Sequence, residues 1–164
     1  LEISAPHLPA KQPPPAYFTL WPEGEGEFGR YDGQPPIHIT GDRGKWNTNT
    51  VLVGESPVRL GDKLFTLLLR LVIQTLCDGR GTVTKAALRS GGFLRPGAEE
   101  QTISHLRKAF SKSLRGLGVQ DFIQSSGRGA IRLFAHPALL KYNRDKLLQH
   151  GNEKVRRLAE QLPP

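Results

Sequence analysis

Gln101, His105, Lys108, Lys112 and Arg115 follow one another at intervals of three and four, which places them on one stripe of a helix. All five are cations or polar hydrogen-bonding groups, and no acid interrupts them. A stripe of that kind can neutralise and hydrogen-bond a polyanion. Ile103, Leu106, Phe110, Leu114 and Leu117 form the complementary apolar stripe, the pattern of a helix that faces a core. Just downstream, Phe122 to Phe134 reads FIQSSGRGAIRLF: two short β-prone runs joined at Gly127-Arg128-Gly129, a ribbon with an arginine at its tip.

The charge distribution agrees. The 164 residues carry a net charge of +8. Residues 1–100 hold 11 Lys/Arg against 11 Asp/Glu, whereas residues 101–164 hold 12 against 4, so the whole excess lies in the second part. With a pI near 10.0, that asymmetry is the footprint of a nucleic-acid partner. A solvated helix face is the bland explanation of any single charge run. Here helix, ribbon tip and charge asymmetry converge, which favours the binding reading.

The length suits one domain with extensions, able to bury a core without staples. Cys77 is the one cysteine, closes an apolar run and reads as a small buried residue. The longest apolar stretch, Leu64 to Leu76, is too short to cross a bilayer and contains Arg70, so the expectation is a cytoplasmic protein with no membrane partner. No cofactor or metal is implied. The chain starts at Leu1 and has no methionine, which suggests a piece of a longer protein whose upstream domain is missing. Residues 1–16, with Pro6, Pro9 and Pro13-Pro14-Pro15, read as a proline-rich linker or disordered segment.

The elements that must position the stripe follow in order. Tyr17 to Leu20, Ile37 to Thr40, Asn49 to Val53 and Pro57 to Leu60 are short β-prone runs separated by Pro and Gly turns, hence a small antiparallel sheet. Trp21 and Trp46 read as cover for its core, with ligand stacking as the less favoured alternative. Gly61-Asp62 opens a strongly apolar helix, DKLFTLLLRLVIQTL, that stops at Asp78-Gly79-Arg80-Gly81. Thr84 is the N-cap of a short helix, Lys85 to Arg89, and a Gly- and Pro-containing connection leads to Glu99 and Glu100 in the first turn of the third helix, where the helix dipole favours acids.

The order sheet, long helix, short helix, basic helix, hairpin predicts an α+β fold: a winged helix-turn-helix with a three-helix core and a C-terminal β-hairpin wing, spanning residues 17–135. Residues 136–164 read as a basic helical extension broken at Gly151-Asn152, which could pack on the domain, extend a DNA contact or present an apolar stripe to a partner, with packing slightly favoured because the stripe is short. Val58-Arg59-Leu60 with Phe65 and Leu67-Leu68, Thr82-Val83-Thr84 with Leu88, Ile103-Ser104-His105-Leu106-Arg107-Lys108-Ala109-Phe110, and Gly127-Arg128-Gly129-Ala130-Ile131-Arg132-Leu133 stand in the order of a known pattern. Over Tyr17 to Phe134 the chain resembles the DNA-binding domain of OmpR/PhoB-type response regulators. It departs from them in having Ala130 where an aromatic is usual, a glycine-rich second connection, some thirty residues after the wing and no receiver domain.

The resemblance implies double-stranded DNA as the partner, with two copies pairing on it, and a role in transcription regulation. The third helix would enter the major groove with Gln101, Thr102, Ser104, His105 and Lys108 near base edges or phosphates, and with Arg107, Lys112 and Arg115 toward the backbone. Arg128 would enter the minor groove and Ser125 and Ser126 would hold phosphate. About five neutralised phosphates would give a salt slope of roughly −4 to −5. Arg107, at the edge of the apolar stripe, has an equal claim to a bridge to an acid within the fold. The alternative function is a winged-helix module for protein interaction. No nucleophile, metal or phosphate-loop motif is present, so the expectation is that this is not an enzyme.

Overall fold

In the computed structural model, which describes residues 34–114, 122–127 and 129–164, the alternation of apolar and polar residues builds three antiparallel strands: β1 (Ile37–Arg43), β2 (Thr48–Val53) and β3 (Ser56–Gly61). Ile37 faces Val53, Ile39 faces Val51 and Val51 faces Val58, so one face of the sheet is a continuous apolar layer, each of these side chains buried. The expected strand at Tyr17 to Leu20, with Trp21 and the 1–16 segment, lies outside the described residues.

Helix α1 (Asp62–Asp78) covers that layer, burying Phe65 to Leu69, Leu71 to Ile73 and Thr75. Its remaining stripe is polar: Arg70 donates to Gln74 (3.0 Å) and Gln74 donates to Asp78 (2.8 Å). Cys77 lies beside this ladder and is exposed, not buried as the apolar run suggested, because one position past Leu76 the helix has turned toward water. The helix ends at Gly79, in the left-handed region, and Asp78 accepts from the backbone N–H groups of Arg80 and Gly81. At Gly81 (φ +72) a Cβ would lie 2.2 Å from the Thr75 hydroxyl, so only glycine lets the chain turn back here.

Strand β4 (Thr82–Thr84) follows, then α2 (Lys85–Ser90), capped as expected by the Thr84 hydroxyl, which accepts from the Ala87 N–H at 3.1 Å. Next come α3 (Glu99–Leu114), β5 (Ile123–Ser125) and β6 (Ala130–Leu133). β4, β6 and β5 form a second, antiparallel sheet in that order.

The C-terminal segment corrects the expectation of helix from His136 onward. A 3₁₀ turn at Pro137–Leu139 leads into strand β7 (Leu140–Tyr142), which pairs in parallel with β1, and only then come α4 (Arg144–Leu148) and α5 (Glu153–Ala159). The first sheet therefore has the order β3-β2-β1-β7 and is mixed. Pro137 and the pairing of Leu140 with Ile37 are what override helical periodicity in this stretch. Leu140, Leu147, Val155, Leu158 and Leu162 are buried, and Gly33–Pro164 forms one unit. Where α4 crosses β1, the register slips at a bulge containing Gly41 (φ +83), whose Cβ would lie 2.6 Å from that of Lys146. The segment is also tied in by a polar node. His150 Nδ1 accepts from the Asn152 N–H (2.9 Å), which leaves Nε2–H to donate to Asn49 Oδ1 (2.6 Å). Asn49 in turn donates to Asp62 (2.9 Å). Burial alone would raise the Asp62 carboxyl, but hydrogen bonds from Asn49, Arg43 and Asn152 hold it below the ordinary value.

The molecule is thus an α+β domain with two sheets and five helices among the described residues, none of them long and apolar enough to cross a membrane.

Candidate nucleic-acid interface

Helix α3 is fixed on two sides before any ligand arrives. Ile103, Leu106 and Phe110 are buried, and Phe110 meets Phe122 edge to face with centroids 5.8 Å apart. At its N-terminus Glu99 pairs with Arg89 of α2 (3.0 Å) and Glu100 pairs with Lys85. Sequence reading gave these acids a role in the helix dipole; their partners on α2 were not foreseen. The Glu99 carboxyl is held below its ordinary value by its own backbone N–H, by Arg89 and by the Gly97 N–H. The two pairs clamp α2 to α3 and occupy the acids nearest the polar stripe, so neither competes for a cation farther along it.

That stripe is present. Gln101, His105, Lys108 and Lys112 are all exposed and lie on one line of α3, with Ser104 half-buried at its margin. None of the four side chains has a hydrogen-bond or ion-pair partner among the described residues. Arg115 and Arg128 fall outside the described residues.

Four of the expected contact residues are placed otherwise. Thr102 is 4 % exposed and its hydroxyl donates to the Ala98 carbonyl (2.9 Å), because it neighbours Ile103 on the buried arc and belongs to the helix interior. Arg107 is half-buried: Nε donates to the Ile123 carbonyl (2.9 Å) and Nη2 to the Ser125 hydroxyl (3.0 Å). Its edge position, four residues after Ile103 and three before Phe110, aims it at β5 and away from the exposed line. The bridge within the fold is therefore what forms, to a carbonyl and a hydroxyl where an acid was envisaged. Ser125, although exposed, is occupied as the acceptor of that bond, and Ser126 is half-buried with its N–H donating to the Ala130 carbonyl (3.0 Å).

Arg107 thereby becomes the strut between α3 and the hairpin. The base of the hairpin has a second tie, from the Lys85 N–H to the Gly129 carbonyl (2.7 Å), so the start of α2 and the turn after β5 move as one piece. Gly127 and Gly129 both have positive φ, and neither would meet an obstacle with a Cβ, so the glycines serve the turn itself. Arg107 and Ser125, which the sequence offered to a ligand, hold the exposed stripe of α3 in fixed relation to β5. A rigid helix face with unopposed cations beside a braced β-turn can bind a polyanion by charge and by directed hydrogen bonds.

Comparison of the chain with protein-family models, curated proteins and solved structures finds no match.

Proposed function

We propose that the domain is a winged helix-turn-helix that binds double-stranded DNA, of the type found in OmpR/PhoB-like transcription regulators, and that it acts by binding and not by catalysis. In this reading α3 lies in the major groove and the β5–β6 hairpin is the wing. The observation that carries it is the exposed line Gln101, His105, Lys108 and Lys112, free of acids and without partners among the described residues, on a helix whose opposite face is locked into the core. Gln101 can pair bidentately with adenine and Lys108 can donate to guanine acceptors. Lys112 and, from the sequence, Arg115 supply phosphate contacts, while Arg128 at the tip of the wing suits a narrow minor groove. Thr102, Arg107 and Ser126 are positioning residues in this scheme.

The test is fluorescence anisotropy of a labelled random-sequence duplex titrated with the chain between about 50 and 200 mM salt. With Arg107 withdrawn from the contact list, four cations remain, and the slope of log affinity on log salt is expected at roughly −3 to −4. Absence of binding at the lowest salt would overturn the reading.

A further inference from the structure

Trp46 is the one large apolar side chain exposed among the described residues, at 92 %, and its backbone is left-handed (φ 60, ψ 28), as is that of Asn47 (φ 54). For a bulky residue that conformation is a strained outlier, and such outliers persist only where the surroundings over-determine them. They do so here. Gly44 N–H donates to the Thr48 carbonyl (2.8 Å), the Thr48 hydroxyl donates to the Lys45 carbonyl (2.8 Å), and the buried Asn49 amide reaches the Asn47 carbonyl (3.5 Å). The β1–β2 turn is thus built to hold an indole away from the sheet, where it covers nothing. The sequence expectation that Trp46 covers core is corrected by that turn.

The position separates this feature from the hairpin. Thr48 pairs with Gly61, immediately before α1 begins, whereas β4 and the hairpin sheet follow the far end of α1, about 25 Å away along a 17-residue helix. Among the described residues, the unpaired charges on the turn and at the start of α1 beside it are one-sided. Asp42 is paired with Lys146 and Asp62 with Arg43, so both local acids are occupied. Lys45 and Lys63, both exposed, have no ion pair among the described residues. Among the described residues no second large exposed apolar side chain accompanies Trp46, so they offer no succession of aromatic platforms on which single-stranded nucleic acid stacks.

We propose that the β1–β2 turn is a docking element for a protein partner that presents an apolar pocket to Trp46 and an acidic rim to Lys45 and Lys63. Tryptophan is the residue type most often found as the central anchor of such interfaces, and flanking charges choose the partner and speed the encounter. Holding the indole in a fixed turn lowers the ordering cost of binding.

The experiment places a benzoylphenylalanine photocrosslinker at position 46 of the full chain in its host cells. Crosslinked peptides are mapped by mass spectrometry, and the purified partner is titrated against the wild type, Trp46→Ala and Lys45→Glu. The expected result is one protein species crosslinked next to Asp or Glu residues, at least a tenfold loss of affinity in each variant, and DNA affinity unchanged in both. Trp46→Gly should raise the melting temperature, since it relieves the left-handed strain and loses no packing; a tryptophan with a structural role would lower it. Crosslinking to a second copy of the chain, to nucleic acid or to nothing would overturn the proposal. So would a partner whose affinity survives Trp46→Ala.

Discussion

Helix α3 and the C-terminal segment from residue 136 are both rich in Lys and Arg, yet they hold their charge differently. In the C-terminal segment Lys146 pairs with Asp42, Arg157 with Glu153, Arg156 donates to the His150 carbonyl (2.6 Å) and Arg144 to the Leu162 carbonyl (3.0 Å). Lys154 donates to the Gly92 carbonyl (2.6 Å) and sits 4.1 Å from the centre of the Phe93 ring. On α3, among the described residues, only Arg107 is used in this way, and Lys108 and Lys112 have no partner there. Counting cations therefore overstates the surface available to an anion. What matters is whether an acid or carbonyl already lies within reach, and the C-terminal segment, folded back over the sheet and the connection between α2 and α3, is surrounded by them. Lys146 and Lys154 tie the segment to the domain and its arginines hold it together, while Lys141 is its one exposed cation with no partner among the described residues.

The comparison is broken most sharply by loosening the C-terminal segment. Leu147 is fully buried, and Leu147→Ala should cost 2–5 kcal/mol, read as a lower midpoint in urea. DNA affinity of the folded fraction should not change. A cost under about 0.5 kcal/mol, the range of surface substitutions, would mean that the segment is an appendage.

Acid should act on the same segment. His136 is 3 % exposed, and burial lowers its pKa from 6.5 to about 4. Burial, with Arg43 and Arg156 nearby, also lowers His150, while Asp62 opposes the shift. Below pH 6.5 the unfolded chain binds protons that the folded chain refuses, so stability present above that pH is lost as pH falls. The part due to His136 is exhausted near pH 4 and amounts to about 3 kcal/mol. His136→Asn keeps an acceptor for the Ala138 N–H and does not titrate, so it should remove that part of the fall in melts between pH 7 and 4. An unaltered pH profile would place the acid sensitivity elsewhere.

Much of this arrangement was legible in the sequence, and the misses share a cause. The alternation of Ile37 and Ile39, and of Val51 and Val53, announces strands because burial repeats every second residue. The apolar run of α1 and the stripe Ile103, Leu106, Phe110 announce helices for the same reason at their own period. Strand β7 could not be seen, since three residues carry no period and its partner β1 lies about a hundred positions earlier. Thr102 and Arg107 sit at the borders of the buried arc, where residue type does not decide the direction of a side chain. Trp46 was misplaced because composition assigns tryptophan to cores, and only the backbone angles of its turn reveal otherwise.

Substitutions on α3 test the open half of the comparison. Lys108→Ala should weaken DNA binding by roughly 1–3 kcal/mol and reduce the salt slope by about 1, with no change in thermal stability. Arg107→Ala should behave differently. It removes the strut from α3 to Ile123 and Ser125, so it should lower the melting temperature as well as the affinity. Equal stability of the two variants would return Arg107 to the list of direct contacts.

The smallest effects are expected in the C-terminal segment's own ion pairs, and they decide whether charge there is structural or idle. Lys146 and Arg157 are 54 % and 74 % exposed, so each pair is screened by water and salt. Lys146→Ala and Arg157→Ala should each change stability by about 0–1 kcal/mol. Neither should alter DNA affinity by more than the weak long-range loss of one positive charge, which 0.15 M salt largely screens beyond about 8 Å. A loss at physiological salt comparable to that of Lys108→Ala would mean that these pairs open to meet phosphate, because an exposed pair costs little to break. The C-terminal segment would then be a second contact surface, and the contrast with α3 would be one of timing: cations free from the start on the helix, and cations released by the duplex on the segment.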